Sequence, residues 1–205
     1  MQVEPLGLRQ VKKADTRRRL TLAARSLVAE HGLDRVTVER IGAEAGVSPR
    51  TFFNYFDSKE LAVLGEEPPL GTSESRAQFV AGGPTGEVLV DLLDLLDPSV
   101  SVAGEGRAGL RAVLQLVSTE PRLLATYVAR QVAREGDVAK LVAARRGLSE
   151  PDRGARVLAA VAFALLREAG RAWFDADDGS PFGHHLATVR DALADELGES
   201  APSNP

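Results

Sequence analysis

The chain has 205 residues, of which 44% are hydrophobic and 5% aromatic, and it carries a formal net charge of −4 without any cysteine. This length is sufficient for one or two domains with a sizeable core, and the lack of cysteine excludes disulfide frameworks and thiolate metal sites. No apolar run resembles a signal peptide or reaches the roughly eighteen residues of a membrane span. We therefore expect a soluble cytoplasmic protein without a membrane partner.

The first predicted element is a basic segment followed by a helix. Residues 1–14 contain Arg9, Lys12 and Lys13 without strong periodicity. We expect a flexible basic arm, which is either solvated or placed against phosphate or a minor groove. A helix is predicted from about residue 15 to residue 31, because apolar side chains recur there at helical spacing. They are Leu20, Ala23, Ala24, Leu27 and Val28.

Residues 37–59 read TVERIGAEAGVSPRTFFNYFDSK and predict two short helices joined by a tight turn. Thr37 precedes an apolar stripe at helical spacing and can cap the first helix. Gly46 favours the end of that helix, and Ser48 followed by Pro49 favours the start of the next one. This arrangement is typical of a helix-turn-helix, whose second helix enters the major groove of DNA.

The second of these helices is predicted to have two different faces. Phe52 and Phe56 are four residues apart and should face a core, whereas Arg50 and Asn54 should point outward. Arginine and asparagine on an exposed helix can form hydrogen bonds with base edges. Lys59 follows in the first turn of a further helix, where it is expected to reach a phosphate.

The distribution of charge supports DNA binding at this end of the chain. Residues 1–60 carry 11 basic and 8 acidic side chains, a balance of +3, whereas the remaining residues carry 14 and 21, a balance of −7. A positive surface is required for binding to phosphates, and an acidic remainder would help to orient the protein on DNA.

Residues 37–60 resemble the DNA-binding signature of the TetR family of bacterial regulators. The helix spacing, the turn at residues 46–48, the Thr-Phe-Phe run and the Ser-Lys-Glu sequence at residues 58–60 occur together. The resemblance extends over residues 15–64. Many members carry tyrosine where this chain has Phe53, so an apolar contact is implied there in place of a phosphate hydrogen bond. The DNA contacts implied by the resemblance are Thr37, Ser48, Pro49, Arg50, Thr51, Phe53, Asn54, Tyr55 and Lys59.

The remainder of the chain predicts helices, and strand patterns are almost absent, so the predicted fold is all-α. We expect a helix-turn-helix DNA-binding domain at residues 15–60, a helical effector-binding and dimerisation domain at residues 61–197, and a disordered tail at residues 198–205. The apolar side chains of residues 85–96 surround much of that helix, which should be deeply buried. The helices are predicted at residues 59–66, 73–81, 85–96, 107–117, 121–146, 152–174 and 181–197.

Two motifs in this region do not indicate a cofactor or a metal. Residues 104–109 match G-x-G-x-x-G, but a dinucleotide site would need a preceding strand, and the flanks are helical in pattern. His184 and His185 are adjacent on a predicted helix, so their side chains diverge by about 100° and cannot chelate one metal together. Because no nucleophile–base motif or paired carboxylate stands out either, we expect no catalytic residue, no cofactor and no metal site.

The resemblance implies a homodimer in which the last two long helices form the interface. Length, apolar breadth and small residues support this assignment, with interface positions at Leu158, Leu165, Trp173, Leu186, Val189 and Leu193. The middle helices are implied to enclose an effector cavity. Their mainly aliphatic walls predict a small, largely apolar effector, which an arginine would hold if it carried an acidic end. The polar side chains predicted to contact the effector are Arg111, Gln115, Tyr127, Arg130 and Gln131.

We therefore expect a ligand-responsive repressor that binds a palindromic operator in double-stranded DNA and is released by a small molecule. Two alternatives are an activator with the same DNA-binding head and a helical protein-interaction module with a degenerate head. The intact Arg50, Thr51 and Lys59 argue against the module. A helical enzyme is a third hypothesis, which the absence of catalytic motifs disfavours. Salt-dependent DNA binding would separate a regulator from both the module and the enzyme.

Overall fold

The computed structural model describes residues 8–97, 106–176 and 178–198, which form ten α-helices and a 3₁₀ turn and contain no strand. The predicted all-α fold is confirmed. Among the described helices, none is both long and apolar enough to cross a membrane. The helices are α1 Leu8–His31, α2 Val38–Glu44, α3 Pro49–Phe53, α4 Lys59–Leu64, α5 Ser73–Val80, α6 Val88–Leu96, α7 Gly106–Thr119, α8 Pro121–Arg145, α9 Arg153–Asp175 and α10 Phe182–Glu196, with the 3₁₀ turn at Leu33–Arg35.

Helix α1 starts seven residues earlier than the sequence pattern indicates, at Leu8. The prediction of a flexible arm is therefore wrong for residues 8–14, while residues 1–7 lie outside the described part of the chain. The segment Arg9–Ala14 is rich in good helix formers and contains neither glycine nor proline, so intrinsic propensity extends the helix without an apolar stripe. An ion pair between Arg19 and Asp15, one turn apart, adds a small local stabilisation.

The structure separates the chain into two compact units. The first consists of the residues up to Glu67 together with Ala108–Arg130, and the second consists of Pro68–Arg107 and the residues from Gln131 onward. This division differs from the predicted boundary after residue 60, because parts of α7 and α8 group with the N-terminal helices. Sequence pattern alone shows that these helices have apolar faces but not which core those faces enter.

The first unit has its own hydrophobic core, to which both of its chain segments contribute. Phe52, Ile41 and Leu123 are among its fully buried members, so the core joins the helix-turn-helix to α8. The predicted burial of Phe52 and Phe56 is confirmed. The buried members of this core are Leu20, Ala23, Ala24, Leu27, Val28, Leu33, Val36, Ile41, Ala45, Phe52, Phe56, Ala62, Val63, Val113, Val117 and Leu123.

The second unit contains a separate core, formed mainly by α6, α8, α9 and α10. Small residues of α9, such as Ala159 and Ala162, are completely buried there and allow close packing against neighbouring helices. Its buried members are Phe79, Leu92, Leu93, Leu95, Leu96, Val138, Ala139, Val142, Ala143, Ala155, Ala159, Ala162, Leu165, Ala169, Phe182 and Leu186.

A buried ion pair within the second unit was not anticipated from the sequence. Nη2 of Arg145 lies 2.7 Å from Oδ2 of Asp91, and the two side chains are 8% and 0% exposed. Asp91 also accepts hydrogen bonds from the backbone and hydroxyl of Thr85. These bonds hold residues 85–87 in an irregular conformation, which is why α6 begins at Val88 and not at the predicted residue 85.

The structure also bears on the G-x-G-x-x-G match and on the predicted tail. Gly104 and Glu105 lie outside the described residues, whereas Gly106–Gly109 form the first turn of α7. The predicted disordered tail lies outside the described part of the chain except for Gly198, which ends the turn after α10.

Candidate nucleic-acid interface

Side-chain caps define the start of each helix in the helix-turn-helix. The hydroxyl of Thr37 accepts a hydrogen bond from the backbone N–H of Arg40 at 3.3 Å, at the start of α2. The hydroxyl of Ser48 accepts one from Thr51 at 3.1 Å, with Pro49 at the first helical position of α3. These caps satisfy backbone donors that would otherwise lack partners, and they confirm the helix starts read from the sequence.

The close packing of α3 against α2 requires glycine at two positions, one within α2 and one in the turn that follows it. Gly46 has φ = 68°, a left-handed conformation that other residues adopt only with strain. A Cβ atom on Gly42 would lie only 2.8 Å from the carbonyl oxygen of Val47, whose N–H donates to the carbonyl of Gly42 at 2.8 Å. The two helices therefore approach closely and are held in one orientation by the backbone itself.

The exposed surface of α3 contains the residues that the sequence assigned to base recognition. Arg50, Phe53 and Asn54 are exposed, whereas Phe52 is fully buried and packs edge-on against the ring of Phe53 at 5.5 Å. An apolar ring with 56% of its surface exposed beside an arginine and an asparagine suits contacts with thymine methyl groups and base edges.

Most of the remaining predicted contacts are also accessible. Thr37, Ser48 and Pro49 are exposed, and Thr51 and Tyr55 are half-buried. Helix α3 has only five residues and ends at Phe53, so Asn54 occupies the C-cap and not the centre of the helix as the sequence pattern indicated. Asn54 keeps helical backbone angles (φ −74°, ψ −11°), which leaves it on the same surface as Arg50.

Lys59 is placed differently from the sequence interpretation. Its ammonium group donates hydrogen bonds to the backbone carbonyls of Leu33 at 2.7 Å and of Val36 at 2.9 Å. Lys59 therefore stabilises the turn between α1 and α2, a structural role that the sequence pattern did not indicate. An ammonium group has three donors, so a phosphate contact requires only the third one.

Negative charge at the start of α2 is also fixed by local hydrogen bonds. The pKa of Glu39 is lowered, first by a hydrogen bond from its own backbone amide and second by one from the hydroxyl of Thr37. Glu39 therefore stays ionised at neutral pH, and a carboxylate in the first turn of a helix interacts favourably with the helix dipole.

Comparisons with known proteins identify the family to which this architecture belongs. Residues 20–61 match the family model described as "Bacterial regulatory proteins, tetR family", and residues 91–198 match the model described as "MftR C-terminal domain". The chain is 32% identical over 185 residues to the "HTH-type transcriptional regulator TcmR" of Streptomyces glaucescens, which covers 82% of this chain and 77% of that protein. The chain belongs to the TetR family.

Two mycobacterial relatives match over a shorter region. The "Uncharacterized HTH-type transcriptional regulator Rv1556" of Mycobacterium tuberculosis and its counterpart Mb1581 of Mycobacterium bovis are each 34% identical over 97 residues, which is 47% of this chain and 46% of theirs. The resemblance read from residues 37–60 is thus confirmed. This TetR-family protein is a DNA-binding transcriptional regulator, in a class of proteins that are not enzymes.

The side chains predicted to bind an effector of this regulator fall into both units. Arg111, Gln115, Tyr127 and Arg130 belong to the first unit, and Gln131 belongs to the second. Arg111 and Gln115 are exposed, whereas Tyr127 packs against the first core. The effector contacts of these five residues remain a prediction.

A cleft of about 270 Å³ within the first unit includes Arg130 but not Arg111, Gln115 or Tyr127. Arg130 donates to the carbonyl oxygen of Gly65 at 3.0 Å, and Arg17 forms an ion pair with Glu66 while its guanidinium lies 5.9 Å from the centre of the Tyr55 ring. The sequence alone gave no indication of these contacts of Arg17. The full lining is Arg17, Tyr55, Phe56, Asp57, Leu61, Gly65, Glu66, Glu67 and Arg130.

The side chains predicted for the dimer interface lie against the core of their own chain. Leu165 and Leu186 are buried members of the second core and therefore offer little surface to another subunit. Trp173 is half-buried, donates to the carbonyl oxygen of Ser180 at 3.1 Å and stacks with Arg107. Leu158, Val189 and Leu193 also pack against this core and remain half-buried. Apolar spacing on α9 and α10 reflects mainly the packing of these helices within one chain.

Proposed function

We propose that this TetR-family regulator binds a palindromic operator as a homodimer and represses transcription until a small, largely apolar effector releases it. The observation that carries the proposal is the exposed surface of α3, where Arg50, Phe53 and Asn54 surround a fully buried Phe52. A single helix of five residues offers too little contact area for a tight and specific complex. Two copies related by a two-fold axis would read two half-sites about one helical turn of DNA apart.

The exposed residues have different roles in this proposal. Arg50 reads a base edge from the first turn of α3, and Asn54 reads a second one from its C-terminal end. Phe53 makes an apolar contact, and the hydroxyl groups of Thr37 and Thr51 bind phosphates, which fixes the position of the head on the duplex. Ser48, Pro49 and Tyr55 lie along the edge of the same surface, and Lys59 directs its third donor to a phosphate.

For the dimer, we place the contact on the outward faces of α9 and α10. Val157 is 56% exposed in the single chain, and burying its apolar surface against a second copy would be favourable. The next outward positions of α9 are Ala160 and Ala164, whose small size would allow a second helix to approach. On α10, Ala187 and Asp191 lie on the outward face, away from the buried Phe182 and Leu186.

A pair of matched variants tests this interface. Val157→Glu places a charge on an exposed side chain, so the single chain should keep its fold, while the dimer should dissociate because the charge becomes buried without a partner. Leu165→Glu buries the charge within the chain itself and should lower the melting temperature irrespective of assembly. Light scattering that shows an intact dimer for folded Val157→Glu would refute the proposed contact surface.

The effector must bind better to a conformation that cannot engage both half-sites than to the DNA-bound one, since otherwise it could not shift the equilibrium. Operator DNA must then weaken effector binding by the same factor by which effector weakens DNA binding. Selection of bound sequences from random duplex DNA would supply the operator, and a screen for compounds that release this selected operator would supply the effector. Its affinity would then be titrated with and without saturating operator, and equal values would refute release by ligand.

A further inference from the structure

Two hydrogen bonds to the backbone of Leu33 hold the turn between α1 and α2. The N–H of Leu33 donates to Oε1 of Glu120 at 3.0 Å, and its carbonyl oxygen accepts from the ammonium group of Lys59 at 2.7 Å. Leu33 and Val36, whose carbonyl also binds Lys59, are 1% and 0% exposed. These charge-assisted hydrogen bonds lie next to a buried segment, where screening by water is weak.

Glu120 reaches this turn from a distant part of the sequence. It lies between α7 and α8, 87 residues after Leu33. Its own N–H donates to the carbonyl of Leu116, and its carbonyl accepts from Leu124, both at 3.0 Å. The neighbouring Val117 and Leu123 are buried in the core of the first unit, so the position of this corner is fixed by packing.

The turn that Glu120 holds leads directly into the DNA-facing surface. Val36 is followed by the exposed Thr37, whose hydroxyl caps α2. Helix α2 is joined to α3 by the close backbone contact between Gly42 and Val47. A change in the Leu33 peptide would therefore displace α2 and α3 together relative to α1, and with them the base-reading side chains.

We propose that Glu120 is a positioning residue for operator recognition. It contacts no DNA, but its hydrogen bond from the Leu33 N–H fixes the orientation of α2 and α3 relative to α1. This inference rests on the proposed function, in which the exposed surface of α2 and α3 reads an operator. It adds a residue far outside the helix-turn-helix sequence to those that determine specific binding.

Three variants test this role. Glu120→Ala removes the acceptor, Glu120→Gln keeps a neutral acceptor in the same place, and Arg122→Ala is the matched control. Arg122 lies at the same corner as Glu120, and its Nη1 is 3.1 Å from Oδ1 of Asp34 in the same turn. These two side chains, however, are 70% and 81% exposed. An exposed pair of this kind should contribute little.

For each variant, affinity is measured for the selected operator and for a random duplex of equal length at several salt concentrations. Loss of a charge-assisted hydrogen bond in Glu120→Ala should weaken operator binding about tenfold. Binding to random duplex and the salt slope should be unchanged, because the number of phosphates contacted is the same. Glu120→Gln should stay within about threefold of the original affinity and Arg122→Ala within about twofold.

Amide hydrogen exchange at Leu33 and thermal unfolding complete the experiment. Exchange at Leu33 should accelerate in Glu120→Ala and not in Arg122→Ala. Unchanged operator affinity in Glu120→Ala would overturn the proposal. Equal weakening of operator and random-duplex binding, in proportion to a lowered melting temperature, would also overturn it. The exchange measurement does not require DNA, so unchanged exchange at Leu33 refutes the contact itself. Failure of the unmodified protein to prefer any duplex would instead refute the proposed function.

Discussion

Replacing Arg145 by methionine is expected to destabilise the second unit strongly. The change removes the partner of Asp91, whose carboxylate is 2.7 Å away and whose side chain is fully buried. It also removes hydrogen bonds from Arg145 to the carbonyls of Phe79 and Gly82, at 3.2 and 3.1 Å. Methionine retains most of the aliphatic stem, so the loss reflects the charge and its hydrogen bonds more than packing.

Removing one partner of a buried ion pair costs about 3–5 kcal/mol. For a chain of this length, the melting temperature falls by about 2–4 °C per kcal/mol, so Arg145→Met should melt roughly 6–20 °C lower. Arg146→Met is the matched control at the adjacent position. Arg146 lies 3.4 Å from Asp152, with side chains 38% and 51% exposed, and an exposed pair should contribute less than about 1 kcal/mol.

The assay is thermal unfolding followed by circular dichroism and by fluorescence. Trp173 is the single tryptophan of the chain and lies in the second unit, so its emission reports on this unit alone. Adding Asp91→Asn to Arg145→Met should recover part of the lost stability, since it removes the unpaired charge. Equal melting temperatures for Arg145→Met and Arg146→Met would refute the reasoning.

Two further predictions concern Lys59 and the pH dependence of stability. Lys59→Ala should weaken binding to all duplexes similarly and reduce the salt slope by about 1 per subunit. It should also lower the free energy of unfolding by about 2 kcal/mol, because charge-assisted hydrogen bonds are lost. Unchanged thermal unfolding would contradict the contacts of Lys59 with the turn. Burial acts to raise the pKa of Asp91, but hydrogen bonds from Thr85 and Arg145 outweigh it and hold the pKa below its ordinary value of 3.8. The stability contributed by this carboxylate is therefore fully present above pH 3.8 and lost as the pH falls further. Melting between pH 6 and pH 3 should consequently depend less on pH in Asp91→Asn, and parallel curves for the two proteins would speak against the assignment.

Local chemistry made the helix-turn-helix predictable. Thr37 and Ser48 cap helices whose backbone donors lie three residues away, so sequence spacing suffices to identify them. The two faces of α3 were predictable for the same reason, because Phe52 follows Arg50 by two residues and so lies about 200° around the helix, on the opposite face. These features depend on neighbours in sequence, and they also carried the family resemblance.

Features that depend on distant contacts were not predictable. Lys59 binds carbonyls 26 and 23 residues away, and Glu120 binds an N–H 87 residues away. Asp91 interrupts an apolar helix in sequence, which suggests an exposed position, yet its partner Arg145 allows it to be buried. The interface residues stay a prediction for a related reason, since an apolar stripe does not show whether its partner belongs to the same chain or to another.

The central claim is that the exposed surface of α3 reads specific bases in two half-sites. The most direct test is selection of bound sequences from random duplex DNA, carried out in parallel with the unmodified protein and with Arg50→Ala. We expect the unmodified protein to select a palindrome. Arg50→Ala should lose about 1–3 kcal/mol of binding free energy and its preference at one base pair in each half-site. Identical base preferences and equal affinities for the two proteins would contradict the account.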